Sequence, residues 1–198
     1  FHNAGMALQQ AAACLVELDN LAEAVPTFEL ACQRFREGES EKAAANALFL
    51  CGKALLSKKD MARATEYFDQ AIERYQDGEA LLHSRDCFDH ILKVHIEAEN
   101  WPKALEVLEH QVNMGLALDA EPISCKAAMS ACLIYLATDR YTEALAKENE
   151  LRAGKIASWN SCTERQYFRR VMSGWECGEQ EMFDKAAKDL CLCLTGQL

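Results

Sequence analysis

Leu21-Ala22-Glu23-Ala24, Met61-Ala62-Arg63-Ala64, Trp101-Pro102-Lys103-Ala104 and Tyr141-Thr142-Glu143-Ala144 share one pattern: a large apolar residue, two variable residues, then alanine. The alanines stand 40 residues apart, at positions 24, 64, 104 and 144. A degenerate fifth copy, Phe183-Asp184-Lys185-Ala186, follows 42 residues after Ala144. The agreement extends outward. Twelve residues before the alanines stand Ala12, Gly52, Leu92 and Cys132, mostly small, and eight before stand Val16, Leu56, Ile96 and Leu136, all apolar. After the alanine, Phe28, Ala31 and Phe35 correspond to Phe68, Ala71 and Tyr75. Those offsets of three and four residues put the side chains on one face of a helix.

Each copy reads as a helix, a tight turn and a second helix. Asn20, Asp60 and Asn100 stand where a side-chain oxygen can cap the free N–H groups that open the second helix. Pro102 falls in a first turn, where its missing N–H costs nothing. Pro26 lies deeper, so a kink or a late start is expected there. One such hairpin cannot bury its own apolar stripe; stacked hairpins cover one another. Small residues at the Ala24-type position let paired helices approach closely, and the large residue before it fills the space alongside. The period exceeds the roughly 34 residues of a standard tetratricopeptide unit and lies near HEAT and armadillo lengths. The expected fold is all-α: a tetratricopeptide-like helical-hairpin solenoid with helices near 3–18, 20–36, 40–57, 60–77, 79–98, 100–114, 121–138, 140–153, 162–177 and 179–193. No linker divides them, so 1–198 is expected to be a single domain, with hairpins over 1–158 and C-terminal helices over 159–198.

Composition supports this class. Half of the residues are apolar, about a quarter charged, and only nine Gly and three Pro punctuate 198 positions. The net charge of −10 makes nucleic acid a poor partner, because phosphate neutralisation needs a basic face. No apolar run approaches the roughly 20 residues of a membrane span. The chain opens at Phe1 without Met or a signal-peptide pattern, and so reads as the interior of a longer protein. Ten cysteines contain no CxxC. Cys14, Cys32, Cys51, Cys87 and Cys132 fall among Ala and Leu in amphipathic stretches, as small core residues do. Cys191 and Cys193, two apart, point to different sides of a helix. A reducing, cytosolic compartment is expected.

Sites of chemistry are sparse. His83, Cys87 and His90 share a helical face at a spacing that could hold a soft divalent metal, but no second ligand cluster accompanies them and no metal or other cofactor is expected. Neither nucleophile elbow, P-loop, dinucleotide fingerprint nor HExxH motif occurs, so no enzyme is expected. Acidic pairs such as Asp19 with Glu23 and Glu179 with Glu181 read as solvated surfaces and caps. Charge is asymmetric near the C-terminus. Arg152, Lys155, Arg165, Arg169 and Arg170 stand against the single acid Glu164, and the chain then turns acidic at Glu176, Glu179, Glu181 and Asp184. Either this is a solvated face, or it is a bipolar end with a basic strip for an acidic partner and an acidic edge for a basic one.

The order and spacing of Phe1-His2-Asn3-Ala4-Gly5, Leu21-Ala22-Glu23-Ala24-Val25, Glu41-Lys42-Ala43-Ala44, Arg63-Ala64-Thr65-Glu66-Tyr67-Phe68 and Tyr141 through Ala144 resemble the soluble NSF-attachment protein (SNAP) family, most of all its gamma type. The resemblance implies a twisted sheet of antiparallel helix pairs ending in a small C-terminal bundle. It also implies a cytoplasmic adaptor, peripherally associated with membranes and doing no chemistry. Such an adaptor lies along the four-helix SNARE bundle (syntaxin-type proteins) left after membrane fusion. It recruits and stimulates the AAA+ ATPase NSF, which takes the bundle apart. By position the SNARE-binding basic residues would be Lys126, then Arg165, Arg169 and Arg170; Glu176 and Glu179 match part of the family's ATPase-facing acidic patch. Other family lysine positions fall on Asn46 and near Asp86, a departure from the alpha-type pattern. The family's N-terminal membrane-contacting loop and acidic C-terminal tail have no counterpart in these residues. The alternative is a tetratricopeptide-like scaffold of another complex, holding peptides in its groove.

Overall fold

A computed structural model describes residues 1–194; beyond Ala186 the only side chain it describes is that of Lys188. Among the described residues there are ten α-helices and no strand: α1 (His2–Glu17), α2 (Leu21–Glu37), α3 (Glu41–Ser57), α4 (Met61–Asp77), α5 (Arg85–Glu97), α6 (Trp101–Ala117), α7 (Glu121–Ala137), α8 (Tyr141–Glu150), α9 (Thr163–Cys177) and α10 (Gln180–Leu194). The all-α class and the helices expected from the repeat are present. Helix α6 runs three residues past its expected end, through Gly115. A Cβ at that position would lie 2.8 Å from the Ser124 nitrogen, so the glycine serves close packing rather than helix termination.

The structural period is half the sequence period. Asp19, Glu39, Lys59, Glu79, Glu99, Asp119 and Asp139 all adopt positive φ, between 51° and 63°, at intervals of 20 residues. Each sits in the same three-residue turn. After α1, the Asp19 N–H donates to the Val16 carbonyl (3.1 Å) and the Asn20 N–H to the Leu15 carbonyl (2.9 Å). This is the Schellman arrangement, which satisfies the last carbonyls of the helix. The residue closing that turn is the N-cap of the next helix. Asn20 Oδ1 accepts from Glu23 N and Asp60 Oδ1 from Arg63 N, each at 3.3 Å, and Asn100 Oδ1 accepts from Lys103 N at 3.5 Å. All three caps stand where the sequence put them. One residue thus ends one helix and starts another, and the chain reverses with no residue to spare.

Pro26 departs from expectation: α2 passes through it unbroken. The ring is on the exposed side of the helix, as is Ala22, whose carbonyl loses its intrahelical partner, so that carbonyl is open to solvent.

The described residues gather into two compact units, one over 1–104 and one from 105 onward. In the first, α1, α2, α3 and α4 pack in sequence and α5 packs on α4. Its repeat alanines, Ala24, Ala64 and Ala104, are fully buried, as are Phe28, Phe35 and Phe68. Gly52 of α3 lies flat against Phe68 of α4: a Cβ there would stand 2.7 Å from the ring. This is the close approach that a small residue twelve before the repeat alanine permits. The apolar positions eight before it are less buried than their pattern implies. Val16 and Leu56 are half-buried and Ile96 is 40% exposed, leaving Leu136 as the buried member. They lie near the helix ends, beside the turns. Cys14 likewise faces outward from α1, whereas Cys32, Cys51, Cys87 and Cys132 are buried core residues as expected. Burial pushes the thiols of Cys51, Cys87 and Cys132 up to about 12, so they remain protonated and act as small hydrophobes.

In the second unit α7 packs against α8 and α9, and α9 against α10. Ala144 and Ala186 are buried. The 20-residue period fails here. Residues 151–155 widen the end of α8, Gly154 takes φ of 115°, Ile156 is extended, and Ala157–Ser161 forms a short tight turn before α9. A side chain at Gly154 would meet nothing; only its backbone angle requires glycine there. The insertion accounts for the 42-residue spacing of the fifth repeat copy. Trp159 anchors it, 0% exposed.

Candidate functional site

The metal alternative dissolves on inspection of its three residues. His83 stacks on Tyr75 (5.8 Å between centroids), Cys87 is buried, and His90 stacks on Phe68 (5.2 Å, 9° between planes). Burial, reinforced by Lys53, holds the His90 imidazole below its ordinary value. Cys87 belongs to the core and the half-buried His90 packs at its edge, while His83 lies exposed against Tyr75. Among the described residues no group of three His, Cys, Asp or Glu is placed to hold a metal ion, and no helix is long and apolar enough to cross a membrane.

The charged residues singled out near the C-terminus are all in the second unit. Arg165 differs from its neighbours. Its Nε donates to Glu148 Oε1 at 2.8 Å, with the two side chains only 12% and 8% exposed, and an Nη reaches the Asn160 carbonyl at 3.4 Å. It clamps the start of α9 to α8. Arg169 and Arg170, on the following turn, are exposed; Arg170 lies over the Tyr167 ring at 5.4 Å. Arg169 borders two depressions. One, of about 160 Å³ between α8 and α9, gathers Arg152, Arg165 and Arg169 with Glu148 and Glu176. The other, of about 370 Å³ between α9 and α10, gathers Arg169, Arg170 and Lys185 around Ser173 and Met182. The strip read along the sequence is therefore a patch that α10 extends through Lys185. Lys126 lies half-buried on α7 and lines neither depression.

The acidic edge also separates into parts. Glu176 accepts a hydrogen bond from the Tyr141 hydroxyl, which raises the Tyr141 phenol above its ordinary value. Glu179, in the turn between α9 and α10, is exposed. Basic and acidic groups thus meet at Glu176, which closes the end of the depression containing Arg169.

A second ion network joins α6 to α8 and the residues that follow it. Glu109 of α6 accepts from Lys147 of α8 at 3.1 Å and from Lys155, and both lysines also pair with Glu150. Burial alone pushes the Glu109 carboxyl up, but the Lys155 and Lys147 hydrogen bonds reverse this and hold it below its ordinary value. Neither Glu109 nor Glu148 was identifiable as a partner from the sequence. Each stands far along the chain from its cation, and only the packing of α6, α8 and α9 brings them together.

An apolar depression of about 470 Å³ completes the unit, lined by Leu133, Leu136, Val171, Trp175 and Phe183, with Asp139 at its rim. Trp175 remains 37% exposed there.

The family model described as "Soluble NSF attachment protein, SNAP" matches residues 1–190. No curated protein matches the chain significantly. Among solved structures, the chain is similar to the apo form of RapI, at 16% identity and a TM-score of 0.59, covering 96% of this chain and 53% of that one. It is also similar to a Rap protein complexed with competence and sporulation factor, at 11% identity and a TM-score of 0.55, with 96% and 53% covered. A third likeness is to a Podosopora anserina putative kinesin light chain with nearly identical TPR-like repeats, at 12% identity and a TM-score of 0.54, with 100% and 97% covered. The chain spans about half the length of the two Rap proteins. At these identities the likeness concerns the fold alone: a tetratricopeptide-like helical solenoid.

Proposed function

The chain belongs to the soluble NSF attachment protein family, a family of non-catalytic adaptors, and on that premise we propose that it binds assembled SNARE complexes and recruits and stimulates the ATPase NSF in membrane fusion and vesicle transport. The family match over residues 1–190 carries this reading. Its place of action is the cytoplasm, at membrane surfaces reached through its partners. In this reading the SNARE-facing groups are Arg169 and Arg170, joined by Lys126. They are cations that an acidic helical bundle would attract, steering association as well as strengthening it. Arg165, engaged with Glu148, positions the strip rather than contacting the bundle. Glu176 and Glu179 face the ATPase.

Co-sedimentation with preassembled SNARE bundles, with and without NSF, tests the proposal; capture of neither by the wild-type chain sinks it. The residue-level test is Arg169→Glu with Arg170→Glu, which leaves the Arg165–Glu148 pair intact. Bundle binding should weaken, and what remains should depend less on salt. Unchanged affinity would assign these arginines to solvent. The apolar depression at Trp175 supports a second reading, a scaffold that holds an apolar peptide segment. Trp175→Ala would abolish binding in that case and leave SNARE capture intact in the first.

A further inference from the structure

Cations of the second unit are unevenly satisfied. Arg140, Lys147, Lys155 and Arg165 each pair with a carboxylate. Among the described residues, Arg169, Arg170 and Lys185 pair with none, and these three line the depression of about 370 Å³ between α9 and α10. Ser173, Met182 and Ala186 line it with them, and no carboxylate does. Met182 is 37% exposed and Ala186 is buried, so apolar surface adjoins the charges. Arg170 is steadied by the Tyr167 ring, a contact that uses none of its N–H groups and leaves them for a ligand. Two carboxylates on the same pair of helices are engaged elsewhere: Glu176 accepts from the Tyr141 hydroxyl, and Asp184 from Gln180 at 2.7 Å.

We propose that this depression binds a phosphorylated segment of a partner protein, with the phosphate held by Arg169, Arg170, Lys185 and Ser173. The inference shares two arginines with the adaptor reading but does not rest on it. An acidic helical bundle asks only for positive charge, whereas this set of groups matches a compact dianion. A phosphate on a side chain carries a charge of about −1.5 to −2 at neutral pH and offers three acceptor oxygens. Guanidinium forks meet two such oxygens in parallel, an ammonium adds a point charge, and a hydroxyl donates one bond more. No internal ion pair has to break before these cations can bind. The residue next to the phosphate would lay an apolar side chain on Met182 and Ala186.

The surrounding charge selects a peptide over a membrane. Glu179, Glu181 and Asp184, at the start of α10, are exposed beside the depression's own residues Met182 and Lys185. An extended anionic bilayer resting on the cations would also face these acids within about 8 Å, the Debye length at physiological ionic strength. A segment with one phosphate meets the depression alone, and basic residues beside that phosphate would find the acids. The ligand is therefore a phosphoserine or phosphothreonine flanked by an apolar residue and by lysine or arginine.

The test measures fluorescence anisotropy of a labelled peptide, with one phosphoserine between a leucine and two lysines, titrated with the full chain. The same peptide without phosphate is the reference. Phosphorylation should tighten binding roughly tenfold or more, through charge-assisted hydrogen bonds that only the phosphate accepts. Ser173→Asp and Lys185→Glu, both at exposed positions outside the adaptor reading, should each remove most of that gain. Lys59→Glu should leave it intact: Lys59 is exposed in a turn of the first unit, and Glu39 and Glu79 occupy the equivalent turns. Equal affinity for the two peptides overturns the proposal. An equal loss in Lys59→Glu overturns it too, since net charge would then account for the effect. So does capture by phosphatidylinositol bisphosphate vesicles without preference between the peptides, which would make the ligand a lipid head group. SNARE capture by Ser173→Asp and Lys185→Glu, read separately without phosphopeptide, bears on the adaptor reading alone.

Discussion

Helices α3 and α4 meet through carbon, with Gly52 against the face of Phe68 and Ala64 fully buried. Helices α8 and α9 meet through charge: Arg165 and Glu148 at 2.8 Å, little exposed to water. The first contact belongs to a period that recurs along the chain, and the second to the stretch where that period fails. Apolar packing of small on large is non-directional and can be repeated wherever the spacing recurs. A buried ion pair must recover the desolvation of two charges through geometry, so it tolerates one partner in one place. The hairpins hold their shape by repetition; the junction at 151–162 holds it by particular groups.

The largest expected effect breaks the charged side of that comparison. Arg165→Ala should cost about 3–5 kcal/mol in urea-monitored unfolding, because Glu148 is left buried and unpaired. A double replacement, Arg165→Met with Glu148→Leu, should recover most of the loss. A single-variant loss below about 1 kcal/mol would place the pair among ordinary solvated ion pairs. Next comes the carbon side. Gly52→Ala should cost about 1–3 kcal/mol, because the new methyl must displace the Phe68 ring. Gly154→Ala, where nothing is near, should cost about 1–2 kcal/mol from its backbone angle alone. Filling space by shrinking the ring distinguishes them: Phe68→Leu should partly rescue Gly52→Ala and leave Gly154→Ala unchanged.

A smaller effect, of opposite sign, concerns the turns. Seven non-glycine residues sit in the left-handed region, and Glu99→Gly should stabilise by about 0.5–1 kcal/mol, since glycine is at ease there. No gain in melting temperature would mean that the charged side chain contributes as much as the angle costs. The smallest effect is pH-dependent and separates the two units. His90 has a folded value below its ordinary 6.5. As pH falls below 6.5, the unfolded chain takes up a proton that the folded one refuses, and the first unit loses stability. Glu109 is likewise depressed, below an ordinary 4.5. Its contribution is complete above 4.5 and is lost as pH falls through its folded value, so the second unit should hold until then. Hydrogen exchange between pH 7 and 5 should show loosening in 1–104 first, abolished by His90→Gln. Simultaneous loosening of both units would contradict the assignment.

Much of this was legible in the sequence for an identifiable reason. Asn20, Asp60 and Asn100 announce helix starts because a cap is a local hydrogen bond between residues three apart. Ala24, Ala64, Ala104 and Ala144 announce packing because close approach recurs at each copy. The 20-residue structural period was hidden, because Asp, Glu and Lys occupy turn positions where glycine would have marked it. Cys14 and Ile96 looked like core by pattern, yet their faces of α1 and α5 turn outward. Of the charged residues near the C-terminus, Arg165 was noticed as a cation free for a partner, and its engagement with Glu148 was not.

By itself, then, the sequence determined the helices, their caps and the hairpin repeat, which follow from short-range spacing repeated several times; membership of the soluble NSF attachment protein family follows from the match over residues 1–190. Tertiary structure alone decided which arginines remain available and that Glu109 neutralises Lys147 and Lys155. The pairings of Arg165 with Glu148 and of Lys147 and Lys155 with Glu109 join residues 17 to 46 positions apart, and their geometry comes from how helices pack around an irregular turn that no periodicity encodes.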